Sequence, residues 1–258
     1  KLLILDIESL LITFHQQPSV IQSVIRKPVL SMARGMVHYT RQKNKGALIL
    51  KSISEVNQYC MFVAGVVGEL LENLFHAASE NGSERSHKNL LQAYHFGLFL
   101  QKINILKDQW SDEKEGRYFV PHRQALLKSV VEHARNAVDY LKSISQPDMG
   151  YRLFCAFSLF LGIATLPALT QAAGAGDANK ISRQEAKELM GQLQSVIHSN
   201  EEVEKLYVNF INQLGSEEPI VISKTSNIEV VATSEPVASL HNLYEGDVSS
   251  EEWKTLVN

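Results

Sequence analysis

Between Ser9 and Ser54 the chain has no aspartate or glutamate, while Arg26, Lys27, Arg34, Arg41, Lys43, Lys45 and Lys51 all fall there. The bias is local. The 258 residues carry a net charge of −3, which argues against a general nucleic-acid binder and leaves small anionic ligands open. Two readings of the basic stretch stand side by side: a solvated helix face with a loop, or attraction for a polyanion such as a diphosphate. Cysteine is scarce. Cys60 and Cys155 each sit inside an apolar run, without the paired spacing of a zinc site or a disulfide framework, so a reducing cytoplasm is the expected compartment. Hairpin turns between alternating strands are missing as well, which excludes an all-β fold. The opening "KLLILDIESLLITF" is apolar but holds Asp6 and Glu8, and reads as neither a signal peptide nor a membrane span.

What is present is helix after helix. "SISEVNQYCMFVAGVVGELLENLFHAAS" opens on Ser52-x-x-Glu55, a capping pattern, and runs apolar to Phe75. A second long helix spans about Leu90 to Trp110, apolar on most faces and therefore central. In "HRQALLKSVVEHARNAVDYLKSI", Leu126, Val130, Ala134, Ala137 and Leu141 form one stripe. "YRLFCAFSLFLGIATLPALTQAA" is long enough to raise a membrane question, but Arg152 and Pro167 favour a buried bundle helix. The fold class is all-α. Residues 216 to 258 differ, with eight acidic residues against Lys224 and Lys254 and no helical period. They read as an acidic, mostly flexible tail with one short docked piece.

The central helix raises the question of function. At about 100° per residue, Gln101, Asn104, Asp108 and Asp112 fall on one side of it. Oxygen donors in a stripe facing a cavity suit Mg²⁺, which takes carboxylate or amide oxygens and shares its shell with water and phosphate. Arg117 and Lys107 lie close enough in sequence to hold phosphate oxygens. The same spacing also fits a helix end surfacing into solvent with hydrated aspartates, and the spacing alone leaves both open.

The wider pattern is more specific. "YCMFVAGVVGELL", then "GLFLQKINILKDQWSDEKEGRYFVP", then "FCAFSLFLGIATL", resemble in order three helices of the squalene/phytoene synthase family, and within it the squalene synthases. "MARGMVHY" resembles the stretch that precedes the tyrosine helix. The likeness runs over residues 14 to about 212. It implies the all-α isoprenoid (terpenoid) synthase bundle around a central apolar cavity. The activity it implies is a Mg²⁺-dependent head-to-head prenyltransferase, condensing two farnesyl diphosphates through a cyclopropyl diphosphate to squalene or a related C30 product. NADPH would serve where the product is reduced. By resemblance Asn104, Asp108 and Asp112 bind Mg²⁺, Gln101 lines the pocket and Arg117 contacts diphosphate. Tyr59 sits beside the reacting carbons, where its ring face and hydroxyl suit a carbocation and a proton transfer. Phe154 and Cys155 line the apolar end, and Gly65 and Gly68 let a helix or a flat prenyl chain approach. Lys180 and Arg183 in "NKISRQEA" resemble a basic flap near the diphosphate and nicotinamide. Ser182 and Gln184 replace a basic residue and a glycine of that pattern. The implied partner is a prenyl diphosphate, with no nucleic acid, a monomeric state and peripheral membrane contact for product release.

The family pairs two aspartate-rich motifs on facing helices, and Asp108 with Asp112 is the sole D-x-x-x-D of this sequence. Ser111 and Lys107 stand where squalene synthases usually carry an acidic residue and an arginine. The expectation is a family-like helical domain over 1–215 without the family's N-terminal helices, followed by the acidic tail over 216–258. Two further readings follow: a family member that binds prenyl chains or a protein without turnover, and a helical interaction protein acting through its tail.

Overall fold

The computed structural model describes residues 6–78, 86–171, 181–214 and 239–258. It is a helical bundle. Helices α1 (Ile7–His15) and α2 (Ser19–Asn44) lead to α3 (Ile53–Cys60), a π-helical turn (Met61–Gly65) and α4 (Val66–Ala78). The long helix α5 (His87–Lys114) is followed by α6 (Arg123–Ser143), α7 (Met149–Gln171), α8 (Arg183–Val196), α9 (Asn200–Asn212) and the short α10 (Ser250–Val257). Two strands of two residues each, β1 (Leu48–Ile49) and β2 (Arg117–Tyr118), pair in parallel.

Sequence rules start these helices. Ser52 accepts from the Glu55 amide, as its spacing predicts, and Glu55 reaches back to the Lys51 amide at 2.7 Å. Full capping boxes open α8 at Ser182 with Glu185 and α10 at Ser249 with Glu252. Core packing then sets their arrangement. Helix α5 runs through the centre, burying Leu90, Tyr94, Leu98, Phe99, Ile105 and Leu106. It crosses the π-turn and α4 so closely that a Cβ on Gly68 would lie 2.0 Å from the Ala93 carbonyl oxygen, and one on Gly97 2.2 Å from that of Ala64. Glycines here are a condition of helix-on-helix contact, and a helix is what approaches Gly65 and Gly68.

Helix α7 answers the membrane question in kind. It and the Ile53–Ala78 stretch are long and apolar enough to cross a bilayer, yet about half of the most apolar part of each is buried in the bundle. The Arg152 guanidinium is 1% exposed and donates to the carbonyls of Leu141, Ile144 and Ile197 and to Asn200. It satisfies carbonyls at helix ends, sharing that of Leu141 with the Ile144 amide. Residues 239–258 of the acidic stretch pack on the bundle. Trp253 is fully buried, Gln58 accepts from both the Leu240 amide and the Trp253 indole, and Asn57 donates to Val257. The docked piece is thus twenty residues of chain that contribute to the core.

Candidate active site

The end of α5 is built from opposites. Its inward side carries Lys102, Ile103, Ile105 and Leu106, all buried. The other side carries the oxygen stripe: Gln101 half-buried, Asn104 and Asp108 exposed, Asp112 half-buried. Gly116, in a left-handed conformation at φ +72, then turns the chain back. The β1–β2 pair anchors the return through Leu48 N–H to Gly116 O at 2.9 Å and Leu50 N–H to Tyr118 O at 3.0 Å. That return aims Arg117 at the helix it has just left. Its Nε and Nη2 donate to Asp112 Oδ1 at 3.0 and 2.7 Å, and its Nη1 reaches Glu115 at 2.6 Å. The Asp112 carboxylate holds the guanidinium above its ordinary range.

The same turn delivers Phe119, which is 5% exposed, onto Tyr59, with ring centroids 4.7 Å apart and planes 24° from parallel. Tyr39 of α2 meets Tyr59 edge-on at 5.0 Å. Burial pushes the Tyr59 phenol up to about 12, with Cys60 and Asp112 adding to the rise and Arg117 opposing it. Near neutral pH Tyr59 is therefore a neutral ring with its proton, beside a carboxylate–guanidinium pair. Farther along the stripe, Lys107 Nζ donates to Asn104 Oδ1 at 3.0 Å and lies 3.5 Å from Asp108 Oδ2. On the inward side, burial pushes Lys102 down to about 8, against Cys60 and Glu132, and it donates to Ser129.

Elsewhere on α2, Leu30, Ala33, Val37 and Leu243 floor a groove of about 570 Å³ rimmed by Arg34 and Arg41. No stripe residue is among its walls, and Arg34 is already paired with Glu245. Lys27 is likewise paired, with Asp247 at 3.3 Å. Part of the basic bias of the first fifty residues is thus answered by the acidic end of the chain.

The family model for squalene/phytoene synthase matches residues 8–128, which hold Tyr39, Tyr59, the stripe and Arg117. Squalene synthase ERG9 of Candida albicans is 26% identical over 194 residues, covering 64% of this chain and 43% of the relative. Squalene synthase ERG9 of Saccharomyces cerevisiae is 30% identical over 187 residues, covering 62% and 41%. Just under half of the chain thus resembles the squalene/phytoene synthase family. The chain spans less than half the length of these curated relatives. Solved structures of TcSQS with the ligands E5700 and BPH1237 share the fold, with TM-scores of 0.62 at 20% identity, covering 66% and 69% of those chains.

Within this fold the sequence-predicted residues separate into groups. Tyr59, Asp112 and Arg117 come together. Asn104 and Asp108 share their helix face and hold Lys107. Cys155 is 3% exposed, whereas Phe154 is 55% exposed, so two residues expected at one apolar end have different surroundings. Adjacent helix positions point about 100° apart, and only one of the two meets the core. Arg183 is the exposed first residue of α8, and Lys180 lies outside the described residues. Sequence reasoning passed over Phe119 and Tyr39, although both sit in quoted motifs. An aromatic two positions after Arg117 was the available signal.

The donor set fits Mg²⁺ in kind: one amide and two carboxylate oxygens. In helix geometry successive donors lie about 6 Å apart along the axis. An ion therefore takes at most two of them and completes its shell with water and phosphate. Among the described residues no group of three or more His, Cys, Asp or Glu could hold a metal unaided. With Lys180 outside the described residues, no step is assigned to a nicotinamide.

Proposed function

We propose that this chain provides half of the active site of a head-to-head prenyltransferase that joins two farnesyl diphosphates into a C30 hydrocarbon. The observation that carries this reading is the convergence of Tyr59, Phe119 and the Asp112–Arg117 pair at the open end of the oxygen stripe. Asn104, Asp108 and Asp112 would hold Mg²⁺, which when bound offsets the charge that develops on a leaving diphosphate. Arg117 and Lys107 are the cations placed to hold phosphate oxygens. Tyr59, kept neutral by burial, offers its ring face to an allylic cation and its hydroxyl to a proton in transit. Phe119 and Tyr39 fix that ring from two sides and exclude water from it. The product, squalene or a less reduced relative, follows from whether a hydride donor takes part.

A second reading is favoured by one specific feature. The chain has a single D-x-x-x-D, and both of its aspartates already face protein cations. Two diphosphates call for more carboxylates than this, so the chain by itself is expected to bind a prenyl diphosphate without turning it over. The test is incubation with farnesyl diphosphate, Mg²⁺ and NADPH, hexane extraction and analysis of the C30 fraction. It is run on the chain and on the longest natural polypeptide that contains it. In whichever form is active, Asp108→Ala and Asp112→Ala should each lower turnover by about 10²-fold or more. Unchanged turnover in either variant at saturating Mg²⁺ would reduce the stripe to a hydrated helix end.

A further inference from the structure

Asn104, Asp108 and Asp112 each already face a cation of the protein. Lys107 Nζ lies between Asn104 Oδ1, at 3.0 Å, and Asp108 Oδ2, at 3.5 Å. Arg117 holds Asp112 Oδ1 through two nitrogens at 2.7 and 3.0 Å. Lys107 and Arg117 thus offset Asp108 and Asp112 without any added ion, although Arg117 is shared with Glu115. A divalent cation arriving alone must displace an ammonium or a guanidinium, or settle beside it, and both options oppose binding. An ion arriving with a diphosphate meets a different balance. The phosphate oxygens supply acceptors for Lys107 and Arg117 at the moment those groups give up their carboxylates, and they complete the shell of the ion.

We propose that Lys107, with Arg117, is an internal counter-ion that makes metal binding at the stripe conditional on a diphosphate: metal and diphosphate enter together, and the lysine passes from Asn104 and Asp108 to phosphate. This rests on the reading of the stripe as a metal–diphosphate site and adds the order and the agent of its filling. Lys107 is the better probe of the two. Its side chain is 25% exposed and pairs with residues of its own helix, whereas Arg117 also belongs to the β1–β2 return. The ammonium can leave without disturbing the fold.

The test is equilibrium dialysis of the chain with Mn²⁺ alone and with Mn²⁺ plus inorganic diphosphate. It compares the parent with Lys107→Met and Lys107→Arg, each first shown by thermal unfolding to be folded. The parent should bind Mn²⁺ alone weakly and bind it at least about tenfold more tightly when diphosphate is present. Lys107→Met should bind Mn²⁺ alone about fivefold more tightly than the parent, the scale of one screened charge, and bind the diphosphate complex more weakly. Lys107→Arg should behave as the parent does. Equal binding of Mn²⁺ alone by the parent and Lys107→Met would overturn the counter-ion role. An undiminished affinity of Lys107→Met for the diphosphate complex would overturn the hand-over. Both results would leave the stripe as a metal site. Failure of every arm, diphosphate included, would instead overturn the stripe as a metal site and the proposal with it.

Discussion

Two carboxylate neighbourhoods flank the centre of the bundle, and they are satisfied in opposite ways. Glu69 on α4 is fully buried and accepts from neutral donors only: the Tyr94 hydroxyl, the Tyr244 hydroxyl at 3.0 Å and the Asp247 amide at 3.2 Å. Burial pushes its carboxyl up, against the pull of those hydrogen bonds. Asp108 and Asp112 lie at the rim of α5 and are satisfied by cations on flexible stems. The first arrangement fixes the chain end to the bundle and is closed off from solvent. The second can be exchanged, because partly exposed ion pairs are weak: water can take the cation's place beside the carboxylate, and phosphate the carboxylate's place beside the cation. The contrast separates a buried carboxylate held by hydroxyls and an amide from rim carboxylates held by cations.

The comparison can be broken most severely at Glu69. Glu69→Ala removes the shared acceptor of the Tyr94 and Tyr244 hydroxyls and of the Asp247 amide, leaves the two hydroxyls only each other and the Val248 amide, and should cost about 3 kcal/mol of stability. Urea unfolding would read this, and protease sensitivity after residue 239 should rise with it. A loss under about 1 kcal/mol would mean that the docked piece is held by Trp253 and its neighbours without the carboxylate.

Proton concentration sharpens the contrast to a lesser degree. His95 Nδ1 lies 2.7 Å from His133 Nδ1, and Lys102 bears on both rings. Burial, then Lys102, pushes His95 down to about 4, and His133 is lowered in the same direction. In the unfolded chain these rings take up protons near 6.5, so that state gains stability first as pH falls. Stability should therefore decline from about pH 6.5 toward about pH 4. Glu204, held down to about 2 by Arg135 and then Lys142, begins to lose its contribution only below the ordinary carboxylate range, near 4.5. Unfolding midpoints measured at pH 7.5, 6.0 and 5.0 isolate the histidine contribution. A flat profile would show that the pair is hydrated in the folded state.

The smallest effect is expected at the rim. Asp108→Ala should change stability by no more than about 0.5 kcal/mol, since it removes one exposed pair. A larger loss would place Asp108 with Glu69 among the structural carboxylates.

Helical periodicity made the stripe readable. Gln101, Asn104, Asp108 and Asp112 share a face because of local geometry, which sequence spacing encodes. Ser52 as a cap and Arg152 with Pro167 inside a bundle helix were readable on the same local grounds. Lys102 was not. Its burial depends on α3 and α6 closing over it, and a lysine in sequence carries no mark of that. The β1–β2 pair is too short for a propensity signal, yet it is what aims Arg117. The last helix had a signal that went unread: Ser249-x-x-Glu252 as a cap, followed by Trp253, Leu256 and Val257 at helical spacing. Acidic composition masked it, because eight carboxylates suggest solvation and three large apolar residues outweigh them once a groove exists to receive them.

The π-turn at Met61–Gly65 joins α3 and α4 with one residue more than an α-helix would use. An extra residue is a phase shift. Tyr59 before the turn and Glu69 after it each face their own partners only because the two helices are about 100° out of step. Removing one residue between 61 and 65 would restore an unbroken α-helix and rotate one half against the other. Tyr59 would then swing off Phe119, or Glu69 off its three donors. Insertions and deletions that an exposed connection such as 145–147 absorbs should thus be refused here, which makes the length of this segment, as much as its composition, part of what selection has to preserve.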